Sequence, residues 1–163
     1  MESLTNVRLL FVCTGNTCRS AIAEAIAVRE AGARGMHDVQ ASSAGTSAWD
    51  GAPASDGALL VGIERHLDLN AHRSRQLTRE IVELSDLILA MGPHHVERID
   101  ALGGEGKTHL ITDYAERSDD GRAIVDPFGG GLDIYRSTSD ELERIVGLVF
   151  DRIATEHPSS GAA

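Results

Sequence analysis

The chain has 163 residues, of which 42% are hydrophobic and 25% charged, so it has the size of one domain and can bury a substantial core. Fifteen basic against twenty-five acidic residues give a net charge of −10, which disfavours binding to nucleic acid or to an anionic membrane. Two cysteines are too few for a disulfide-stapled secreted scaffold, and no apolar run reaches the roughly 18 to 20 residues that span a bilayer.

The first predicted unit is a strand, a loop and a helix. Residues 7–12 (VRLLFV) form a short apolar run with β-branched and aromatic members, which favours a strand. Both cysteines, Cys13 and Cys18, follow in a glycine-containing turn. Residues 20–31 then place apolar side chains at helical spacing, which predicts a helix directly after the turn.

Short apolar runs and amphipathic stretches continue to alternate through the middle of the chain. They predict strands at 39–43, 87–91 and 109–112, helices at 53–66 and 78–84, a helix with Pro93 at its first position, and a polar loop at 113–125. The helix at 53–66 is predicted to bury one apolar face, formed by Leu59, Leu60, Ile63 and Leu67.

The last helix has the clearest periodicity. Its apolar stripe consists of Leu142, Ile145, Val146, Val149, Phe150 and Ile153. Thr138 and Glu141 have the spacing of a capping box, which predicts that the helix begins there. The alternation as a whole predicts one three-layer α/β domain over residues 1–157, with a four-stranded parallel doubly wound sheet, helices on both faces, and a short flexible tail at 158–163.

The turn CTGNTCRS (13–20) has the composition of an anion site. Ligands of doubly wound folds bind beyond the carboxyl ends of the strands, where this turn is expected to lie. Backbone N–H groups in such a turn and the positive end of the following helix attract an anion, and the Arg19 guanidinium can hold two phosphoryl oxygens at once. The same groups stabilise a sulfur anion, so Cys13 is predicted to be a thiolate nucleophile aimed at a phosphoryl group.

Other interpretations of the turn are weaker. A nucleotide-hydrolysing loop needs a second glycine and a lysine, which are missing here. A zinc site would need more than two thiols, and their spacing does not match a zinc knuckle. Two cysteines packed only as small buried side chains would not require the arginine and serine that follow them. No metal and no cofactor are therefore expected.

The turn 13–20 and the segments around it resemble the low-molecular-weight protein-tyrosine-phosphatase family. CTGNTCRS followed by an AEA helix is similar to its signature, Asp126-Pro127-Phe128 to its Asp-Pro-aromatic element, and SAG at 43–45 follows in the same order. The resemblance implies that Cys13 attacks phosphorus and that Asp126 is the general acid. It implies phosphate binding by Thr14, Gly15, Asn16, Thr17, Cys18, Arg19 and Ser20, with the loop turn supported by an Asn16–Ser43 hydrogen bond and the pocket walled by Trp49 and Phe128.

Some acidic and histidine residues near these motifs remain alternatives. Asp113, Asp119 and Asp120 are rival acids by their position in the sequence, although the last two read more simply as a solvated loop. His72 also matches a family position near the site, but a single histidine is more often structural, so it is left out of the catalytic set.

The residue at position 17, a threonine, helps to predict which phosphorylated side chain is the substrate. Tyrosine phosphatases of this family usually have a bulky aliphatic residue there, and the chain is more similar to the bacterial protein-arginine-phosphatase branch. A threonine hydroxyl can accept the extra N–H groups of phosphoarginine, whereas an aliphatic side chain favours a phenyl ring. We expect a cysteine-dependent protein phosphatase that prefers phosphoarginine to phosphotyrosine and releases inorganic phosphate, with a protein-tyrosine phosphatase proper as the alternative.

Other functions on the same scaffold have less support. An arsenate reductase needs additional cysteines to relay a disulfide, and a phosphate-sensing module would not need the acid at 126. Cys18 is either a packing residue or the partner of Cys13 in a regulatory disulfide after oxidation. The N-terminus MESLTNVRLL lacks the features of a secretion signal, so a cytoplasmic protein is expected. A monomer or weak dimer is expected separately.

Overall fold

Four parallel strands form one sheet in a computed structural model that describes residues 6–157. The strands are β1 (Val7–Cys13), β2 (Val39–Gly45), β3 (Leu87–Ala90) and β4 (Thr108–Leu110), in the order β2-β1-β3-β4. This confirms the predicted four-stranded parallel sheet. The tail predicted at 158–163 lies outside the described residues.

The central position of β1 explains why residues 9–13 are all apolar. It pairs with β2 along its whole length and with β3 from Leu9 to Val12, so both of its edges are occupied. Leu9 and Phe11 enter one hydrophobic core, whereas Leu10 and Val12 enter a second core on the opposite face. A parallel strand covered on both faces needs apolar side chains on both, and residues 9–13 of β1 are all apolar and buried, whereas Arg8 near its start is exposed.

Within residues 6–157, six α-helices cover the two faces: α1 (Arg19–Ala33), α2 (Asp56–Glu64), α3 (Arg79–Leu84), α4 (Pro93–Ile99), α5 (Ile111–Glu116) and α6 (Leu132–Glu156). A π-helical turn, Asp100–Gly104, directly follows α4. Helices α1, α2, α5 and α6 contribute to the first core, and α3 and α4 to the second, which confirms the doubly wound arrangement. Ser55 and Thr78 cap α2 and α3, because each side chain accepts a hydrogen bond from a backbone N–H of its helix. Pro93 occupies the first turn of α4, as predicted.

The start of α6 differs from the prediction. Its apolar stripe is fully buried as expected, but the helix begins at Leu132 after Gly131 rather than at Thr138. Thr138 is therefore a buried residue inside the helix, where its hydroxyl donates to the Val125 carbonyl oxygen at 3.4 Å. The first two turns were missed because their exposed polar residues interrupt the apolar periodicity.

The apolar face predicted for α2 is only partly buried: Leu67, just beyond the helix, is buried, and Leu59 packs against the first core. Leu60 and Ile63 are 50% and 73% exposed, while the smaller Ala58 and Val61 are fully buried. Small residues face inward because the helix packs closely: a Cβ atom added to Gly57 would lie 2.4 Å from the Tyr135 ring.

A further difference concerns the segment after β4. The strand ends at Leu110, two residues before the predicted end, and the helix α5 follows at once where a polar loop was predicted. Ile111, Tyr114 and Ala115 of α5 are buried, so this short helix is stabilised by packing rather than by its own sequence.

Candidate active site

A loop of seven residues, 13–19, joins the central strand to the first helix. Cys13 is the last residue of β1, and Arg19 is the first residue of α1. The loop forms the floor of a cavity of about 300 Å³ at the carboxyl edge of the sheet. The cavity is lined by Cys13, Thr14, Gly15, Asn16, Thr17, Cys18, Arg19, Ser47, Trp49, Ala52, Ser74, Asp126 and Phe128.

The Cys13 sulfur contacts a hydroxyl that can donate to it. Ser20 Oγ lies 2.9 Å from Cys13 Sγ, and it accepts a hydrogen bond from Asn16 Nδ2 at 2.7 Å. Since the Ser20 oxygen already accepts from Asn16, its own proton is free to point to the sulfur. Ser20 is fully buried and does not line the cavity, so it acts on Cys13 from below the loop. A donor in this position stabilises a sulfur anion.

Asn16 fixes the shape of the loop. Its backbone has a φ of 59°, in the left-handed region that few residues other than glycine adopt. Its Nδ2 donates to Ser43 Oγ at 2.9 Å, the contact that was predicted, and its Oδ1 accepts from the Arg75 N–H at 3.0 Å. The His72 ring nitrogen Nε2 lies 2.6 Å from the Asn16 carbonyl oxygen. His72 therefore contacts the loop backbone rather than the cavity.

The Arg19 side chain is nearly buried beside the loop. Its Nη1 donates to the Ile124 carbonyl oxygen at 3.1 Å, and its Nη2 lies 3.6 Å from the Asp126 carboxylate. The buried Nε of Arg19 has no hydrogen-bond partner among residues 6–157. A buried donor without a partner is costly, and an anion in the cavity would satisfy it.

Asp126 lines the same cavity from a distant part of the chain. The segment before it is held by the Ile124 N–H, which donates to the Met91 carbonyl oxygen at the end of β3. The Asp126 carboxylate also accepts from the Phe128 N–H at 3.1 Å, so its position is fixed locally. Of the rival acids, Asp113 accepts from the Ser118 hydroxyl and the Gly121 N–H.

Neither Asp113 nor the other two rival acids, Asp119 and Asp120, lines the cavity. Among the predicted aromatic residues, Trp49 and Phe128 do line it, although they are 85% and 73% exposed. Both rings therefore stand at the mouth of the cavity, where a substrate would cover them.

Cys18 has its own set of contacts. Both cysteines are free and buried, and Cys18 Sγ lies 3.2 Å from Ser55 Oγ and 3.3 Å from the Tyr135 hydroxyl. Burial and the contact with Cys18 raise the pKa of Tyr135 to about 12, so Tyr135 stays a neutral phenol. The disulfide between Cys13 and Cys18 stays a prediction.

One contact of the loop was missed from the sequence. His95 in α4 is fully buried, and its Nε2 lies 2.9 Å from Thr14 Oγ1, while its Nδ1 has no partner among the described residues. Burial, followed by the neighbouring His94 and Arg19 charges, lowers the pKa of His95 to about 3. His95 is therefore neutral near pH 7, and its one polar contact holds the residue next to Cys13.

His95 should make folding stability depend on pH. The pKa of His95 is about 3 in the folded chain, below the ordinary value of 6.5, so only the unfolded chain binds a proton as the pH falls below 6.5. By this linkage, the free energy of unfolding of the wild type should fall between pH 7 and pH 5 by about 2 kcal/mol more than that of His95→Gln. Urea unfolding at both pH values measures this loss. His37→Gln, at an exposed histidine, is the control and should follow the wild type; equal losses in all three proteins would contradict the prediction.

The chain is similar to known proteins over most of its length. The family model of low molecular weight phosphotyrosine protein phosphatase matches residues 8–159. A protein-arginine-phosphatase of Bacillus subtilis is 39% identical, over 85% of this chain and 91% of the relative. The low molecular weight protein-tyrosine-phosphatase PtpB of Staphylococcus haemolyticus is 37% identical, over 86% of this chain and 96% of the relative.

The solved structures agree with the sequence relatives. The YwlE arginine phosphatase from Geobacillus stearothermophilus superposes with a TM-score of 0.84 at 36% identity, covering 92% of this chain and 94% of that one. The family match extends over nearly the whole chain and includes the strand, loop and helix that form the cavity. The chain therefore belongs to the low molecular weight phosphotyrosine protein phosphatase family, and it is a cysteine-dependent hydrolase of phosphorylated protein side chains.

Proposed function

We propose that Cys13 is the nucleophile of this phosphatase, that Asp126 is its general acid and base, and that phosphoarginine is preferred to phosphotyrosine. One observation supports the residue roles above all: a sulfur and a buried arginine from the loop 13–19 and a carboxylate from a distant segment meet at one cavity of about 300 Å³. This set contains every group that phosphoryl transfer through a covalent intermediate requires.

The reaction has two steps. Cys13 Sγ attacks phosphorus and forms an S–P bond, while the bond from phosphorus to the nitrogen or oxygen of the side chain breaks. Asp126 gives its proton to that leaving atom. Water then attacks the cysteinyl-phosphate and gives a proton to Asp126, and the S–P bond breaks to return the Cys13 thiolate and inorganic phosphate.

The loop holds the phosphoryl oxygens during both steps. The backbone N–H groups of residues 14–19 and the Arg19 guanidinium are the donors, and the positive end of α1 adds to their field. The Ser20 hydroxyl, 2.9 Å from the sulfur, stabilises the thiolate both as nucleophile and as leaving group. These groups are in place before substrate arrives, so little reorganisation is needed in the transition state.

The proposed preference for phosphoarginine depends on Thr17. Thr17 lines the cavity, and within residues 6–157 the one hydrogen-bonding contact of its hydroxyl is a weak one of 3.8 Å with Cys18 Sγ. It is therefore available to accept an N–H group of a phosphorylated guanidinium, which a phenyl ring does not have. The protein-arginine-phosphatase relatives support the same assignment.

Replacing Thr17 should change the ratio of the two activities. Thr17→Ile removes the hydroxyl and leaves the guanidinium N–H groups without a partner, so kcat/KM for phosphoarginine peptides should fall about tenfold relative to phosphotyrosine peptides. Thr17→Ser keeps the hydroxyl and should retain most of the wild-type ratio. Steady-state kinetics on matched peptides measure this ratio. A wild-type preference for phosphotyrosine that Thr17→Ile leaves unchanged would overturn the assignment.

A protein-tyrosine phosphatase proper is the second candidate. The exposed rings of Trp49 and Phe128 at the mouth of the cavity favour it, because two aromatic walls suit a flat phenyl group. The relative PtpB carries that activity in its name. The peptide kinetics above distinguish the two candidates directly.

We also propose a cytoplasmic enzyme without metal or cofactor that acts as a monomer or weak dimer on phosphorylated proteins. Within residues 6–157, no helix is both long enough and apolar enough to cross a membrane. No group of three or more metal-binding side chains occurs in the same part of the chain. The net charge of −10 supports a partner other than nucleic acid.

A further inference from the structure

A second cavity lies beside the first, on the far side of Phe128. It has a volume of about 420 Å³, and we call it the side cavity. Its apolar lining consists of Leu60 from α2, Phe128, and Leu132 and Tyr135 from the start of α6. Apart from Phe128, none of these residues lines the cavity that contains Cys13.

The floor of the side cavity is rigid. The Tyr135 hydroxyl is 3.1 Å from Ser55 Oγ and 3.3 Å from Cys18 Sγ, which ties the floor to the loop 13–19. The Tyr135 ring packs against Gly57 so closely that a Cβ atom there would be 2.4 Å from it. The side cavity is therefore formed before any ligand binds, which reduces the entropy cost of filling it.

The walls of the side cavity expose apolar surface to water. Leu60 is 50% exposed and Phe128 is 73% exposed, although both are large hydrophobic side chains. Contiguous exposed apolar side chains beside an active site are typical of a binding surface. Phe128 lines both cavities, so a protein chain with its phosphorylated residue in the first cavity can reach the side cavity with a neighbouring residue.

We propose that the side cavity binds an apolar side chain of the substrate protein, such as leucine, located one to three residues from the phosphorylated one. This proposal rests on the proposed function, because the phosphorylated residue must occupy the cavity of Cys13. An extended chain advances about 3.3 Å per residue, so a close neighbour in sequence reaches across the Phe128 ring. The Asp56 carboxylate in the lining disfavours an acidic side chain there.

Two variants of α2 distinguish binding in the side cavity from a general effect of added surface charge. Leu60→Asp places a charge in the side cavity, whereas Ile63→Asp makes the same kind of change on the same helix outside it. Ile63 is 73% exposed, so its variant is the matched control for added charge and for helix stability. Neither residue lines the cavity of Cys13, and hydrolysis of p-nitrophenyl phosphate should be unchanged in both variants.

The substrates are peptides with leucine, alanine or aspartate at each position within three residues of the phosphorylated one. For the best position, leucine should raise kcat/KM about fivefold to tenfold over alanine, the range expected for partial burial of one aliphatic side chain, and aspartate should lower it. Leu60→Asp should abolish the advantage of leucine, and Ile63→Asp should keep it. Equal kcat/KM for leucine and alanine peptides in the wild type, or equal losses in the two variants, would overturn the proposal.

The same experiment keeps this proposal separate from the proposed function. The peptides are made in a phosphoarginine and a phosphotyrosine series, and the ratio of leucine to alanine is taken within each series. If the preference for phosphoarginine fails, the ratio in the phosphotyrosine series still tests the side cavity. If the leucine advantage is absent in both series, the side cavity does not select substrates, whatever the phosphorylated residue.

Discussion

The Cys13→Ser variant should bind inorganic phosphate but should not hydrolyse p-nitrophenyl phosphate at a measurable rate. A serine hydroxyl is not ionised near neutral pH, so the nucleophile is lost while the backbone N–H groups and Arg19 remain in place. We expect kcat to fall on the order of 10⁴-fold or more, as for removal of other enzyme nucleophiles. Steady-state kinetics measure kcat, and a phosphate titration by calorimetry shows that the loop is still formed.

Cys18→Ser is the matched variant, because it makes the same atomic change in the other buried cysteine of the loop. In the wild type the Cys18 sulfur contacts the hydroxyl groups of Ser55 and Tyr135 and not the Cys13 sulfur. The substitution also keeps the backbone N–H of residue 18. It should therefore retain at least about a tenth of the wild-type kcat, since only neutral hydrogen bonds change. Equal losses in the two variants would mean that the sulfur of Cys13 is not the nucleophile.

Asp126→Asn should show a loss that depends on the leaving group. The amide can still accept the hydrogen bond from the Phe128 N–H, but it cannot give a proton to the leaving atom. With phenyl phosphate, whose leaving group needs that proton, kcat/KM should fall about 10²-fold to 10⁴-fold. With p-nitrophenyl phosphate the leaving group departs as a stable anion, so the loss should be much smaller.

The rival acids provide the control for this experiment. Asp120→Asn removes an exposed carboxylate that does not line the cavity, so it should leave kcat/KM for both substrates unchanged. If Asp126→Asn has the same ratio of kcat/KM for phenyl phosphate to kcat/KM for p-nitrophenyl phosphate as the wild type, the assignment of the general acid is wrong. A changed ratio in Asp120→Asn would assign the acid to the 119–120 segment instead.

The parts of the fold that were predicted correctly have local signals. β1 is buried on both faces, so its apolar run is continuous, and the stripe of α6 repeats over three turns. The errors occur where packing against residues distant in sequence determines which side chains are buried. α2 buries Ala58 and Val61 and exposes Leu60 and Ile63 because Tyr135, far away in sequence, packs closely against Gly57. No pattern within the helix itself indicates this.

In the candidate site, too, contiguous residues could be predicted from the sequence and contacts between distant residues could not. The loop 13–19 is contiguous in sequence, so its cysteine, glycine and arginine could be recognised together. The contact between His95 and Thr14 joins residues 81 positions apart, and the bond from the Arg75 N–H to Asn16 joins residues 59 positions apart. Such partners can be found only when the sheet has placed the ends of its strands side by side.

The bonds of Asn16 also have a consequence for the end of the catalytic cycle. Because its side-chain amide is held by Ser43, Ser20 and the Arg75 N–H, the loop takes its shape when the chain folds and not when an anion arrives. A loop that is rigid in advance offers the same donors to product as to substrate, since both carry phosphoryl oxygens. We therefore expect free phosphate to compete with the substrate, so that the rate of the enzyme falls as the phosphate concentration around it rises.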